Sequence, residues 1–171
     1  AGPPLLLLAG TGYNGGTWDG GGIVTTMSTA VAPNSLTTLA VAEASEARGL
    51  ASAQTGVWDG QTIDGTTVLV KYTYAGDANL DGIVNGDDYF HIDNGYATRN
   101  NLSPLLGWFN GDFDYSGRID ADDYWLIDSG YAFHGAQILA ASEPAESVVA
   151  VCPRPSIVFR AIEVRFHAQG V

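Results

Sequence analysis

The sequence predicts an α+β protein: a β-rich N-terminal part of short strands, a small α module built on two acidic loops, and an extended β-like tail. Three observations carry this reading. Residues 67–74 (TVLVKYTY) are almost wholly β-branched and aromatic, which is strand composition. Residues 76–97 recur as residues 111–132 at a constant offset of 35, without a gap and with half the positions identical. Two copies make a paired motif, because a solenoid needs three or more units to bury a continuous core. The tail turns Pro-containing, with β-like runs at 147–151 and 156–166 interrupted by Pro153 and Pro155. The expected boundaries are 1–75, 76–135 and 136–171, so that the chain holds two small modules followed by an extended segment or edge strand.

Within the first part, Thr17-Trp18-Asp19-Gly20 and Val57-Trp58-Asp59-Gly60 each place a Trp before an Asp-Gly turn signal, and Asp64-Gly65 is a third. The first 75 residues therefore read as short strands and hairpins. Trp18 and Trp58 are expected in the core beside their turns rather than as platforms for sugar rings. The exception is 35–50 (SLTTLAVAEASEARGL), where Ala content and a closing Gly49 favour helix while the alternation in LAVAEAS equally suits a strand; the two stay open, with a lean to a strand first and a helical turn after it. In 67–74, Val68, Val70, Tyr72 and Tyr74 fall on one face. The opening residues 1–10 (AGPPLLLLAG) lack the basic region and the apolar length of a signal peptide and read as a mature or trimmed N-terminus. Either that apolar start or the β-like tail is a candidate strand for addition to a neighbour's sheet edge.

The repeat carries the chemistry. A twelve-residue EF-hand loop supplies oxygens from positions 1, 3, 5, 7 (a backbone carbonyl), 9 and 12, with Gly at 6 for the sharp turn. Counted from its first Asp, one copy offers Asp77, Asn79, Asp81, the carbonyl of Ile83, Asn85 and Asp88, with Gly82 at the turn. The other offers Asp112, Asp114, Ser116, the carbonyl of Arg118, Asp120 and Asp123, with Gly117 at the turn. Calcium is a hard cation that takes six to eight oxygens, and a curled loop points alternate residues inward; nitrogen or sulfur donors would suit zinc instead. The expectation is two Ca²⁺ per chain. Val84 and Ile119, at position 8, are placed for the two loops to pair side by side.

Each loop runs into a short amphipathic segment with Tyr89, Ile92 and Tyr96, or Tyr124, Ile127 and Tyr131, on one face. Gly95 and Gly130 fit helix C-terminal caps. Strand-like sequence precedes the first loop, so the motif is loop then helix. Phe90 and Trp125 fall off the core face, where they either form a docking surface, since aromatic residues are enriched where proteins meet, or, the favoured reading, pack against Leu105, Leu106, Trp108 and Phe109 of the linker. His91, His134 and His167 show no catalytic or metal-ligand spacing.

This duplicated half-EF-hand, GDANLDGIVNGDDY and GDFDYSGRIDADDY with their trailing helices, resembles the dockerin type I family over roughly residues 76–134. The stretch VWDGQTIDGTTVLVKYTYAGDANLDG also looks like the C-terminal regions of large secreted planctomycete-type proteins, in which a β-rich segment runs into such a repeat. The resemblance implies calcium-dependent folding of a small three-helix module that docks onto a cohesin domain. Cellulosomal dockerins often carry a hydroxyl or apolar pair at loop positions 10 and 11, where this chain has Gly86-Asp87 and Ala121-Asp122. The resemblance thus reaches calcium binding more directly than cohesin docking.

Composition agrees with a cation partner. Nineteen acidic residues oppose seven basic ones, for a formal net charge of −12, which disfavours nucleic acid and anionic lipid. With 46% apolar and 11% aromatic residues the chain has the material for a core, and no run approaches the ~20 apolar residues of a membrane span. Cys152, alone, cannot form an internal disulfide. No Gly-x-Ser-x-Gly elbow, phosphate loop or His-Glu-x-x-His is present, and most Asp residues already belong to the loops, so the chain is not expected to be an enzyme. The expected role is an extracellular or cell-surface calcium-binding structural or adhesive protein, assembling with copies of itself into a layer or filament. The alternative is a docking module that attaches a larger secreted protein to a cohesin-like scaffold receptor.

Overall fold

The computed structural model describes residues 5–134 and the backbone of three strand segments at 149–150, 157–160 and 165–166. Cys152 and His167 lie outside the described residues. The chain is of mixed α+β class: α1 (Leu5–Tyr13), a 3₁₀ turn (Asn14–Gly16), β1 (Ile23–Val24), β2 (Thr37–Glu43), α2 (Ala44–Ala47), β3 (Thr55–Trp58), β4 (Gln61–Asp64), β5 (Val68–Tyr74), α3 (Gly86–Thr98), a second 3₁₀ turn (Trp108–Asn110), α4 (Ala121–Phe133), β6 (Val149–Ala150), β7 (Ile157–Arg160) and β8 (Arg165–Phe166). No helix among the described residues is long and apolar enough to cross a membrane.

The central strand is β5, as its composition predicts. It pairs antiparallel with β2, from Thr37 opposite Tyr74 to Glu43 opposite Val68, and parallel with β7 on its other edge. The strand order is β2-β5-β7-β6, and separate two-stranded ribbons join β1 to β8 and β3 to β4. Every residue of β5 is buried, because both of its faces are covered. Val68, Val70 and Tyr72 enter one core cluster with Leu39, Val41, Ile23 and Trp18. Leu69 enters a second cluster with Trp58, Ile92, Trp108 and Ile127. Tyr74, expected on the face of Val68, joins this second cluster instead, where its ring meets His134 edge-on at 6.3 Å. The second cluster runs across positions 75 and 76 and joins the β-rich part to the repeat.

Residues 35–50 form a strand followed by one helical turn, β2 then α2. Trp58-Asp59-Gly60 makes the predicted hairpin: Trp58 faces Gln61 across the β3–β4 pair, and Asp59 and Gly60 take φ of 49° and 75°, the left-handed pair of a two-residue turn. Trp18 and Trp58 are both buried.

The N-terminal expectation requires correction. Residues 5–13 form a helix rather than a donor strand, and Trp18 follows a 3₁₀ turn instead of a hairpin, its amide bonded to the Tyr13 carbonyl at 3.0 Å. A Leu run is a strong helix former, and Gly20 of the Asp-Gly turn signal serves close packing, since a Cβ there would overlap the Thr11 carbonyl; Gly12 and Gly22 do the same. A Cβ at Gly12 would overlap the Ile23 carbonyl, and one at Gly22 would crowd the Leu8 carbonyl. The helix therefore sits directly on the chain entering β1, with Ala9 and Ile23 fully buried.

Gly95 and Gly130 also differ from expectation. They lie inside α3 and α4 rather than ending them. A Cβ at Gly95 would overlap the Asn110 carbonyl, and one at Gly130 the Ala75 carbonyl. Each glycine thus admits the backbone that leads into the opposite loop, in a reciprocal arrangement that follows the 35-residue offset. Gly76 and Gly111 repeat the logic, resting on Ile127 of α4 and Ile92 of α3 at φ of 89° and 104°. Where the resemblance implies three helices, this region holds two and a 3₁₀ turn; Pro104 and Gly107 in the linker oppose a longer helix.

Candidate metal centre

Both twelve-residue segments curl in the same way. Leu80 and Tyr115, at position 4, take φ of 60° and 58°, and Gly82 and Gly117, at position 6, take 97° and 77°. Left-handed backbone at position 6 is the conformation that favours Gly. Positions 9 and 12 then start the helices. Asn85 and Asp120 are N-caps, and Asp88 and Asp123 are the third residues of reciprocal capping boxes. The helices begin within the loops, so the position-12 carboxylates are held at helix N-termini, where negative charge is stabilised.

These position-12 groups are buried and turned back on their loops. Asp88 Oδ1 accepts from the amides of Ala78 (2.8 Å) and Asn79 (3.4 Å), and its Oδ2 from Asn85 (2.9 Å). Asp123 repeats this with Phe113 (2.7 Å), Asp114 (3.3 Å) and Asp120 (2.9 Å). The short side chains between them make local turns: Asn79 accepts from Asp81 at 2.9 Å, Asp81 from Ile83 at 2.8 Å, Asp114 from Ser116 at 2.9 Å, and Asn85 and Asp120 from the amides two residues on. Ser116 Oγ bonds both the amide (3.3 Å) and the carbonyl (3.4 Å) of Arg118, whose guanidinium lies 3.9 Å from Asp120 in solvent.

The structure brings together Asp112, Asp114 and Asp123: one carboxylate oxygen from each lies within 4.8 Å of the others. Asp112 and Asp123 are buried. This all-oxygen group can hold a metal ion, and it is the one convergence of three such groups among the described residues. Burial, chiefly, pushes Asp112 up to about 6, against the amide of Gly117. Burial pushes Asp123 up to about 7, and the charge of Asp114 adds to the rise. Both shifts come chiefly from removing the carboxylates from water.

The first loop differs through Lys71, which the sequence reading did not single out. Lys71 projects from β5 with its ammonium 3.6 Å from Asp77 Oδ2 and donates to the Leu80 carbonyl at 2.7 Å. Thr73 donates to the same Asp77 oxygen, which also accepts from Gly82 at 2.9 Å. Burial again dominates and pushes Asp77 up to about 6, with Lys71 and Thr73 opposing it. A signal existed: Lys71 and Thr73 are the polar alternates in an otherwise apolar strand, and alternation puts them on the face of Leu69. Trp108 was assigned to packing alone, yet its indole donates to the Asp77 carbonyl at 2.8 Å. Tyr115 ties the second loop to β2 through the Leu39 carbonyl at 2.6 Å.

The position-8 residues do not join the loops: Val84 and Ile119 are buried in the shared core, and no backbone hydrogen bond links the two loops among the described residues. Ile119 reaches Gly95 of α3 instead. Phe90 and Trp125 do not pack beneath the linker either, being 62% and 55% exposed. Trp125 borders an open surface depression with Tyr96, Ala121, Tyr124 and Asp128. On the linker side His91 packs against Phe109, with ring centroids 4.0 Å apart and planes tilted by 49°.

Comparison with protein-family models, with curated proteins and with solved structures finds no match to this chain.

Proposed function

We propose that this chain is a non-catalytic, extracellular calcium-binding structural protein, in which two loops of the dockerin kind clamp the helical region onto the β-rich part. The convergence of Asp112, Asp114 and Asp123 carries the reading. Three carboxylates held this close repel one another unless a cation or protons intervene, and a hard divalent ion suits oxygen donors alone. In the second loop Asp112, Asp114, Ser116, the Arg118 carbonyl, Asp120 and Asp123 would hold the ion. In the first these would be Asp77, Asn79, Asp81, the Ile83 carbonyl, Asn85 and Asp88. The ion's contribution is charge neutralisation and rigidity. Extracellular modules bind calcium at roughly 10⁻⁴ to 10⁻³ M, which suits a secreted or cell-surface location.

A second reading, a docking module for a scaffold receptor, is favoured by the exposed Trp125 and Phe90, since aromatic residues are enriched where proteins meet. Sedimentation with and without calcium separates the two. Calcium-dependent assembly of the chain with itself supports the structural role. A persistent monomer that binds a cohesin one to one, and loses that binding on Trp125→Ala, supports docking.

A further inference from the structure

We infer that Lys71 is a built-in cation for the first loop, making the two loops unequal: the first keeps its fold without an added ion and takes calcium weakly, while the second depends on calcium and takes it more tightly. This inference rests on the calcium reading above.

The ammonium of Lys71 bridges the first and fourth residues of its loop, at 3.6 Å from Asp77 and 2.7 Å from the Leu80 carbonyl. Both partners are almost wholly buried, with side-chain exposures of 7% for Lys71 and 0% for Asp77. The lysine is built into the strand that forms the floor of the loop. A Cβ at Gly82, the turn residue, would stand 3.1 Å from the same ammonium, so the charge lies under the curl itself. A divalent ion bound to Asp77 would face this positive charge at close range in a poorly solvated setting, where repulsion between like charges is least screened.

The repeat provides an internal control. Lys71 lies five residues before the repeat, and the offset of 35 carries it to Leu106 of the linker, which is uncharged and 43% exposed; Lys71 is the sole buried Lys or Arg among the described residues. Asp112, the counterpart of Asp77, accepts from the Gly117 amide at 3.3 and 3.2 Å. The ion pair recorded for the second loop among the described residues is the exposed one between Arg118 and Asp120. The second loop therefore gathers three carboxylates with no buried ammonium in the place that Lys71 holds in the first. Charge balance is internal in one loop and must come from outside in the other.

The test is calcium titration of the metal-stripped full chain, as wild type and as Lys71→Met, with Asp77→Ala and Asp112→Ala to assign each event to its loop. The expected result is two events in wild type, the weaker lost in Asp77→Ala. Lys71→Met should tighten that weaker event by about tenfold or more and leave the stronger unchanged. Lys71→Gln, which keeps a donor for the Leu80 carbonyl without the charge, guards against a packing defect and should act in the same direction. Hydrogen exchange on the stripped wild-type chain gives an independent readout: the amides of Asp81 and Gly82, which donate to Asp77, should be protected, and that of Gly117 should not. Equal exchange in the two loops, or a first-loop affinity that stays the same or falls in both Lys71 variants, overturns the inference while leaving calcium binding intact. Absence of any calcium binding overturns the reading beneath it as well.

Discussion

Tyr89 on α3 donates its phenolic hydrogen bond to Asp128 on α4 at 2.6 Å, and 35 residues later the relationship is returned by Tyr124 of α4 to Asp93 of α3, also at 2.6 Å. The two helices are thus latched twice by the same chemistry, and the sequence repeat becomes a structural one. A hydrogen bond to an ionised partner contributes about 1.5–3 kcal/mol when buried, and less where water competes. Tyr89→Phe and Tyr124→Phe should each lower stability by about 1 kcal/mol. Urea unfolding in saturating calcium checks this, and the double variant should show nearly additive losses because the two bonds share no atom.

The glycine contacts make a sharper prediction. Gly→Ala inside an exposed helix ordinarily gains about 1 kcal/mol from propensity, yet a Cβ at Gly130 would overlap the Ala75 carbonyl, and one at Gly95 the Asn110 carbonyl. Gly130→Ala and Gly95→Ala should therefore destabilise by about 1–3 kcal/mol, the scale of overpacking a closed contact. Thermal unfolding of either variant at or above the wild-type midpoint would show that α3 and α4 do not rest on these backbones.

Stability should depend on pH in opposite directions with and without calcium. Asp77 and Asp112 are pushed up to about 6 and Asp123 to about 7, mainly by burial. A carboxyl raised in the folded state holds its proton more tightly there than in the unfolded chain. Its contribution is present below the ordinary value of 3.8 and is lost as pH rises through about 6 to 7. The metal-stripped protein should thus melt lower at about pH 8 than at about pH 5 from these groups. In calcium the trend should reverse, because the ion competes with protons for the same oxygens.

Much of this was legible because it is local. The β-branched run of β5, the change from alternation to Ala-rich sequence at β2 and α2, and the Trp58-Asp59-Gly60 hairpin are each decided by neighbouring residues. The acidic loops were legible through spacing: Asp112, Asp114 and Asp123 stand at positions 1, 3 and 12 and meet in space. What escaped depends on distant partners. Gly20, Gly95 and Gly130 resemble turns or caps until the backbone that presses on each is known. The Leu-rich start forms a helix rather than the donor strand its apolar character suggested. Lys71 is one polar residue in a strand, and only the fold places it against Asp77. Trp125 fell off the core face in the helical pattern, but whether the linker would cover it depended on the path of residues 99–110, and it is 55% exposed.

Whether the two acidic loops bind calcium is decided by calorimetric titration of the metal-stripped chain, with Asp77→Ala and Asp112→Ala as single-loop controls. Two binding events per chain are expected, one lost with each substitution. A chain that takes up no calcium at millimolar concentration would contradict that expectation.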